Sequence, residues 1–345
     1  MLKAFNEKDS KGRRHAEKGV ISKRRFVDDF QRIIQTKAYR RLADKTQAFS
    51  LPEHTHIRTR IIHTNEVIGN SIKASEILGL NTELCMAIAA GHDLGHVPYG
   101  HLGERVLSKA TGKTFSHPIY GVVVAQEIEN RGRGLNLCYE TLEGMLYHSR
   151  GGGALNIDYS KPAEYGVVML ADKIAYTFSD YSDAANRVGY FPMEKQASLM
   201  EKIDKNLGKT TKDRRDACIN ALVVESKAKG FVSFKESNEY KIFSELRKVL
   251  YDEVYKQVNA HMHETAMIDL YKFIATSPEF AEKYNSFDPV IFISLLTDKE
   301  VTYFGQMLFS SKKVSLKDIE HFGAFELMPE LKDKKIDYSD AGLEW

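Results

Sequence analysis

The chain has 345 residues, of which 43% are hydrophobic and 28% charged, a balance typical of a soluble globular protein with a substantial core. Its formal net charge at pH 7 is only +2, which provides no overall field to attract nucleic acid or a membrane. Cys85, Cys138 and Cys218 are far apart and lack a CxxC spacing, which excludes a disulfide framework and a thiolate zinc cluster. We expect all three to be core residues of a protein in a reducing cytoplasm.

Basic side chains crowd the N-terminus with few acids between them: Lys11, Arg13, Arg14, Lys18, Lys23, Arg24 and Arg25. Such a run is typical of a solvated tail, and the alternative is a contact with a phosphate-bearing partner such as nucleic acid. The region lacks the apolar stretch of a signal peptide, and no apolar run approaches the ~20 residues of a membrane span. We therefore predict a cytoplasmic protein that does not bind a membrane.

Nearly every periodic segment of the chain is typical of a helix. Apolar residues recur at three- and four-residue steps over residues 26–43, 57–78, 84–90, 117–129, 163–185 and 246–262. Strand-like alternation is scarce, and residues 230–234 are the best short candidate. The sequence therefore predicts an all-α fold. The polar residues 190–195 mark the boundary between a catalytic part, 1–190, and a C-terminal helical region, 191–345.

The densest group of chemically active side chains lies between residues 92 and 104. Three imidazoles and two carboxylates fall within these thirteen residues: His92, Asp93, His96, His101 and Glu104. Glycines and a proline interrupt the same stretch, so it does not suit a regular core helix. Adjacent His and Asp side chains point about 100° apart on a helix, but they can converge where a helix ends. The stretch predicts a metal site with catalytic residues downstream.

We predict that His63, His92, Asp93 and Asp172 are the metal ligands. Asp172 follows the apolar run 167–171, where an unpaired carboxylate would be costly to bury. Taken singly, His63 could be a surface histidine, His92 and Asp93 a helix cap, and Asp172 a partner of Lys173; taken together they favour a ligand set. Two imidazoles and two carboxylates with open positions suit one divalent ion, Mn²⁺, Mg²⁺ or Fe²⁺ first, with Co²⁺, Ni²⁺ or Zn²⁺ as alternatives.

Five segments, in order along the chain, resemble the HD-domain phosphohydrolases, and specifically their deoxyguanosine triphosphate triphosphohydrolase branch: residues 39–47, 60–67, 91–104, 134–148 and 170–180. The resemblance covers about residues 25–190. It implies an HD-domain helical core with an N-terminal helical extension and additional C-terminal helices. It also implies hydrolysis of a dNTP, with dGTP favoured, at the α-phosphorus, which yields a deoxynucleoside and tripolyphosphate.

The resemblance implies roles for the side chains around the metal. His101 with Glu104 would form a catalytic pair beside the phosphates, and a tyrosine and an acid one and two turns after Asp172 would contact the deoxyribose. The lysine directly after Asp172 replaces an acid common in the bacterial branch. It resembles the vertebrate dNTP triphosphohydrolase that joins a SAM domain to an HD domain, and it predicts broader dNTP use. The full set is His96, His101, Glu104 and His117 for catalysis, and Gln47, Arg60, Lys173, Tyr176 and Asp180 for the substrate.

Two other functions stay open. One is an HD phosphohydrolase for a nucleoside monophosphate, a cyclic dinucleotide or an alarmone. Gln47, Tyr176 and Asp180, which the resemblance places at the sugar, argue against it. The other is a regulator that binds nucleotide or nucleic acid without catalysis; the intact ligand set argues against that. Members of the family commonly form homo-oligomers built from dimers, some of them hexamers, and we expect an oligomer here. His261 and His263 lie two residues apart on one predicted helix and share no face, so we expect both at the surface.

Overall fold

The computed structural model describes residues 2–17, 23–49, 55–149, 155–258, 261–284, 287–310, 314–331 and 334–344. Within these ranges the secondary structure is helical, and strand-like pairing is limited to isolated bridges between Arg13 and Cys138 and between Thr46 and Thr59. The predicted all-α class is confirmed. No helix among the described residues combines the length and the apolar character needed to cross a membrane.

Helices of very different length follow one another along the chain. The α-helices are α1 (Arg25–Ile34), α2 (Lys37–Arg41), α3 (Arg60–Leu78), α4 (Thr82–Gly91), α5 (His101–Thr111), α6 (His117–Val123), α7 (Glu129–Gly132), α8 (Tyr139–Tyr147), α9 (Ala163–Asp183), α10 (Ala197–Asn206), α11 (Thr211–Lys229), α12 (Asn238–Val249), α13 (His261–Thr276), α14 (Pro278–Tyr284), α15 (Pro289–Ser294), α16 (Asp298–Phe309), α17 (Leu316–Ile319) and α18 (Met328–Leu331). Short 3-10 segments are Glu7–Asp9, Leu42–Asp44, Tyr255–Gln257 and Gly323–Glu326, and π-helical segments are Val124–Ile128, Ala184–Val188 and Leu250–Val254.

Two hydrophobic cores hold the helices together. The first lies between α3, α4, α9, α11 and α12 and includes Phe178 and Phe243. The second lies between α5, α6, α13, α15 and α16 and includes Phe292 and Phe304. Helices α10–α12 contribute to the first core and α13–α18 to the second. The described part of residues 191–345 therefore packs onto the N-terminal half at two places.

Helix α9 is the central helix of the fold, and almost all of it is buried. Every residue from Glu164 to Ala175 is buried, as expected for a helix that is apolar nearly all round. The same helix carries Asp172, Lys173 and Asp180 into the interior, where a charged group is retained only if it has partners. The burial of these charged side chains, together with Glu164 and Asp183, on one core helix marks this region as the place to look for a site.

Three secondary-structure predictions are wrong. The helix predicted over residues 26–43 is divided, because α1 ends at Ile34, Thr36 is extended and α2 begins at Lys37. The long helix predicted over residues 246–262 is interrupted, because α12 ends at Val249 and a π-helical and a 3-10 segment follow before α13 begins at His261. A π-helical turn holds more residues than an α-helical turn, so it rotates the side chains after it out of the α-helical register. The strand predicted at residues 230–234 is a loop after α11, in which Val232 and Phe234 alternate because they pack against the first core.

The basic N-terminus differs from a solvated tail where it is described. The Arg13 guanidinium contacts the buried carboxylate of Asp29 at 2.5 Å, and Arg24 pairs with Glu83 at 2.6 Å. Lys18 and the glycine loop at residues 151–153 lie outside the described residues. Cys85, Cys138 and Cys218 are buried free thiols, as predicted.

Candidate active site

The four predicted metal ligands meet at the end of α4, where α3 and α9 pass closest to it. Nε2 of His63 lies 3.0 Å from Oδ1 of Asp172, and Nε2 of His92 lies 3.4 Å from Oδ1 of Asp93 and 4.0 Å from Oδ1 of Asp172. Because α4 ends at Gly91, His92 and Asp93 leave the regular helix and their side chains turn toward each other. His63, His92 and Asp93 thus place one ligand atom each within 4.8 Å of one another, and Oδ1 of Asp172 lies beside the two imidazoles.

The protonation of His92 fits a metal ligand. Nδ1 of His92 lies 2.7 Å from the carbonyl oxygen of Ala89, so this nitrogen carries the proton and Nε2 presents a lone pair. Nε2 is buried and has no hydrogen-bond partner among the described residues, although two carboxylates face it. Burial lowers the pKa of His92, which keeps the ring neutral. A neutral imidazole beside two buried carboxylates is a donor set that a divalent cation satisfies.

Each carboxylate of the cluster uses its second oxygen to bind a cationic side chain. Oδ2 of Asp93 accepts a hydrogen bond from Nη1 of Arg60 at 3.0 Å, and Oδ2 of Asp172 accepts one from Nζ of Lys173 at 2.8 Å. Both cations are buried and both line the adjacent cavity. Arg60 and Lys173, which were both predicted to contact the substrate, therefore flank the predicted metal ligands.

Glu104 organises the imidazoles beyond the ligand cluster. Its Oε1 lies 2.8 Å from Nδ1 of His117 and 3.3 Å from Nδ1 of His96, and the rings of His96 and His117 stack with centroids 3.7 Å apart. Burial and the neighbouring Arg60 lower the pKa of His96 to about 4. The resemblance pairs Glu104 with His101, but the hydrogen bond in the structure goes to His117, while His101 remains exposed beside the stack.

One cavity of about 550 Å³ collects these groups. Every predicted catalytic, substrate and ligand residue lines it except His92, which lies directly behind its wall. Gln47 enters from the segment before α3, and its side-chain Oε1 is buried without a hydrogen-bond partner among the described residues. Tyr176 and Asp180 follow Asp172 at intervals of one turn along α9. The predicted metal ligands, Arg60 and Lys173 thus line the same cavity as Tyr176 and Asp180.

Comparisons with known proteins agree with this geometry. A family model of the HD domain matches residues 60–177, the span that carries the ligand cluster. The chain is also similar to three proteins named deoxyguanosinetriphosphate triphosphohydrolase-like protein. It is 38% identical to the one from Caldanaerobacter subterraneus over 254 residues, 73% of this chain and 71% of that protein. It is 36% identical to the one from Desulfatibacillum aliphaticivorans, over 73% of this chain and 72% of that protein. It is 39% identical to the one from Clostridium perfringens, over 72% of this chain and 72% of that protein.

The chain belongs to the deoxyguanosinetriphosphate triphosphohydrolase-like family of HD-domain proteins. It is therefore an HD-domain phosphohydrolase, and its cluster of His63, His92 and Asp93 could hold a metal ion.

Sequence reasoning missed the part of this phosphohydrolase's site that comes from beyond residue 190. Arg247 donates a hydrogen bond to the hydroxyl of Tyr176 at 2.8 Å, and Tyr255 donates one to Oδ2 of Asp180 at 2.7 Å. Tyr251 lies between them, with its hydroxyl 3.2 Å from that of Tyr176. The spacing of four residues was a weak signal, because on a helix it is also the spacing of an ordinary packed face.

His148 was also missed as a cavity residue. Its Nδ1 lies 2.6 Å from the carbonyl oxygen of Met145, and its Nε2 lies 3.3 Å from Nε2 of His117. The ring is buried against His92, with centroids 5.1 Å apart. Its position at the end of the segment 134–148 was visible in the sequence, but nothing local indicated that it would reach His92 and His117.

Gly100 sets the position of Arg60, and we expect Gly100→Ala to lower turnover by roughly 10- to 100-fold through misplacement of that guanidinium. The backbone at Gly100 has φ +54°, and a Cβ there would lie 2.3 Å from Nη2 of Arg60. The matched control is Gly112→Ala at the other end of α5, where φ is +71° but nothing lies within 4 Å of the added atom. Both variants carry backbone strain, so equal losses of turnover would show that Arg60 placement is not the cause.

Removal of the metal is expected to lower the melting temperature. The buried carboxylates of Asp93 and Asp172 and the lone pair of His92 lose their shared partner in the metal-free protein. A cation at 100 times its dissociation constant stabilises the folded state by about 2.7 kcal/mol, which corresponds to a shift of a few degrees in a chain of this size. The measurement is thermal unfolding after chelator treatment and again after Mn²⁺ is added back. Identical melting temperatures would contradict a metal in this cluster.

Proposed function

We propose that this protein is a metal-dependent dNTP triphosphohydrolase, with dGTP as a substrate and other dNTPs also accepted. The products are a deoxynucleoside and inorganic tripolyphosphate. The observation that supports the proposal best is that the ligand cluster, the cations Arg60 and Lys173, and the Tyr176–Asp180 face share one cavity. Its volume of about 550 Å³ lies within the usual range for small-molecule sites. The names of the relatives support dGTP as the first substrate to test.

The metal ligands and the two buried cations would contact the triphosphate in different ways. A divalent ion held by His63, His92, Asp93 and Asp172, with Mn²⁺, Mg²⁺ or Fe²⁺ preferred, supplies Lewis-acid polarisation and an activated water when bound. Arg60 and Lys173 neutralise phosphate charge and the charge that develops at the α-phosphorus. Both are buried, so their charges act in a medium of low dielectric constant, where they are stronger than in water.

Proton transfer falls to the imidazoles. His101 is the exposed ring of the group, so it can exchange a proton with the departing oxygen of the nucleoside. The rings of His96 and His117 stack beside it and contact the phosphates, and Glu104 fixes the orientation of His117. Burial alone would raise the pKa of Glu104, but contact with His117 and His96 holds that pKa well below its usual value, so the carboxylate stays ionised.

The Tyr176–Asp180 face suits a deoxyribose. Arg247 and Tyr251 fix the Tyr176 hydroxyl, which gives the aromatic ring a defined position for packing against a sugar. Burial raises the pKa of Asp180 to about 7, although Tyr255 donates a hydrogen bond to it. An additional donor such as a sugar hydroxyl would offset part of that burial cost. Gln47, with its unpaired Oε1, is the other polar contact for the sugar.

The test is a product analysis. The metal-loaded protein is incubated separately with each of the four dNTPs and with GTP, and phosphate products are separated by chromatography. Tripolyphosphate with deoxynucleoside is expected from dGTP at least, with little product from GTP. Orthophosphate, or activity only on a monophosphate, a cyclic dinucleotide or an alarmone, would assign another HD phosphohydrolase activity. Binding of a dNTP or of single-stranded DNA without turnover would make the protein a regulator. Homo-oligomerisation remains a prediction for sizing experiments.

A further inference from the structure

The turn between α4 and α5 holds an unfavourable backbone conformation. Tyr99 has φ +58°, a left-handed value that a bulky side chain rarely adopts, and Gly100 follows at φ +54°. The turn begins at His96 and ends at His101, so it carries two of the candidate catalytic imidazoles. A strained backbone persists only where the surrounding structure holds it in place.

The restraint comes from Asp298, about 200 residues further along the chain. Oδ1 of Asp298 accepts a hydrogen bond from the backbone N–H of Tyr99 at 2.8 Å. Oδ2 accepts two more, from the backbone N–H of Thr46 at 2.9 Å and from its hydroxyl at 2.6 Å. The residue is only 1% exposed. One buried carboxylate thus joins the turn of His96–His101 to the segment that ends in Gln47.

Lys45 and the side chain of Tyr99 make further contacts that hold the same turn. The ammonium of Lys45 donates to the carbonyl of His96 at 2.5 Å and to that of Ser294 at 3.3 Å. The ring of Tyr99 stacks on His263 of α13 with centroids 4.4 Å apart, which explains why His263 is buried and the prediction of a surface position is wrong. The hydroxyl of Tyr99 reaches Thr302 of α16 at 2.7 Å.

The carboxylate of Asp298 is not needed to cap its own helix. The N-terminus of α16 already has a capping box, in which the side chains of Thr297 and Glu300 satisfy each other's backbone N–H groups. Among the described residues, the three donors to the Asp298 carboxylate come from Thr46 and Tyr99, which belong to the two segments that carry Gln47 and Tyr99 to the cavity. A buried charged acceptor gives stronger and better-directed hydrogen bonds than a neutral one.

We propose that Asp298 is a positioning residue of the active site, which holds the His96–His101 turn and the Gln47 segment in register. It acts through the backbone of Tyr99 and the side chain and backbone of Thr46, without touching the substrate. The consequence for turnover rests on the proposed function; the effect on the turn does not. The C-terminal helices α13–α16 are by this inference part of the catalytic framework.

The experiment compares Asp298→Asn with Glu300→Gln. Asparagine keeps the shape but places an amide donor against backbone donors, whereas Glu300→Gln weakens the capping box of the same helix without touching the turn. Hydrogen exchange is measured on peptides that cover residues 45–47 and 96–101, together with bound metal and the kcat and KM for dGTP. For Asp298→Asn we expect exchange in both peptides to rise roughly tenfold or more, and kcat to fall roughly 10- to 100-fold at unchanged metal content. Glu300→Gln is expected to lower the melting temperature, while the hydrogen-exchange rates of both peptides and kcat stay within about twofold of the wild-type values.

Protected peptides and normal kcat in a folded Asp298→Asn variant would overturn the proposal. So would equal exchange and equal loss of kcat in the two variants at matched melting temperature, because the effect would then be general destabilisation. If Asp298→Asn does not fold, Thr46→Val removes only the hydroxyl bond, and the same peptides decide the matter. A wild-type protein that hydrolyses no dNTP would defeat the proposed function alone, since hydrogen exchange would still report whether Asp298 holds the turn.

Discussion

Replacement of Asp172 by asparagine is expected to lower turnover roughly 10³-fold or more and to remove the bound metal. The amide has the size of the carboxylate but lacks its charge, so the cluster loses one of two anionic ligands and Lys173 loses its ion-pair partner. Loss of metal-based charge stabilisation is worth several kcal/mol at the transition state, and each ~1.4 kcal/mol is a factor of ten. The measurements are metal per chain by elemental analysis, turnover of dGTP and circular dichroism.

The matched control for this variant lies on the same helix. Asp183 is also buried and forms an ion pair, with its Oδ1 2.8 Å from Nη1 of Arg58, but it does not line the cavity. Asp183→Asn should lower thermal stability while it keeps the metal and most of the turnover. If Asp172→Asn retained a stoichiometric metal ion and normal turnover, the assignment of the ligand set would be lost.

The ligand cluster could be predicted from sequence because its signals are local. His92 and Asp93 stand beside the glycine that ends α4, and Asp172 interrupts an apolar run, so each violates the pattern of its own helix. Buried charge in a core helix requires a partner, and the candidate ligands together supplied one for Asp172 besides Lys173. The end of α3 at Leu78 was predicted in the same way, since it depends on the glycine that follows it directly.

The rest of the cavity depends on contacts between distant segments. Arg247 and Tyr255 reach Tyr176 and Asp180 across about 70 residues, and the π-helical segment Leu250–Val254 between them has no periodic signature. Asp298 is a further example, because an aspartate in the first turn of a helix is ordinary by itself. Its role follows only from which backbone it meets. Long-range hydrogen bonds of this kind cannot be read from spacing.

The hydrogen-bond partner of Glu104 also could not be predicted from spacing, although it lies closer in sequence. Glu104 and His101 lie three residues apart on α5, which favours contact between them on a helix. In the structure, α6 brings His117 to within 2.8 Å of the same carboxylate, and tertiary packing decides the pairing. The carboxylate of Glu104 therefore contacts His117 and His96, and this group lies next to the exposed His101 that we propose exchanges the proton.

This arrangement predicts that Glu104→Gln lowers kcat roughly 10²- to 10⁴-fold while metal content and KM change little. The glutamine oxygen can still accept a hydrogen bond from Nδ1 of His117, so the ring keeps its position. What is lost is the negative charge that stabilises a protonated imidazole during proton transfer. The experiment measures kcat and KM for dGTP, bound metal and melting temperature on one preparation.

Glu129→Gln is the control, since Glu129 is a buried carboxylate outside the cavity that accepts hydrogen bonds from the backbone N–H groups of Lys37 and Ala38 at the start of α2. Its loss should cost stability without a selective fall in kcat. A Glu104→Gln variant with kcat within about threefold of the wild type would mean that the charge of Glu104 plays no part in the reaction. A fall in metal content instead would show that Glu104 acts by supporting Asp93 through His96, whose Nε2 lies 3.2 Å from Oδ1 of Asp93.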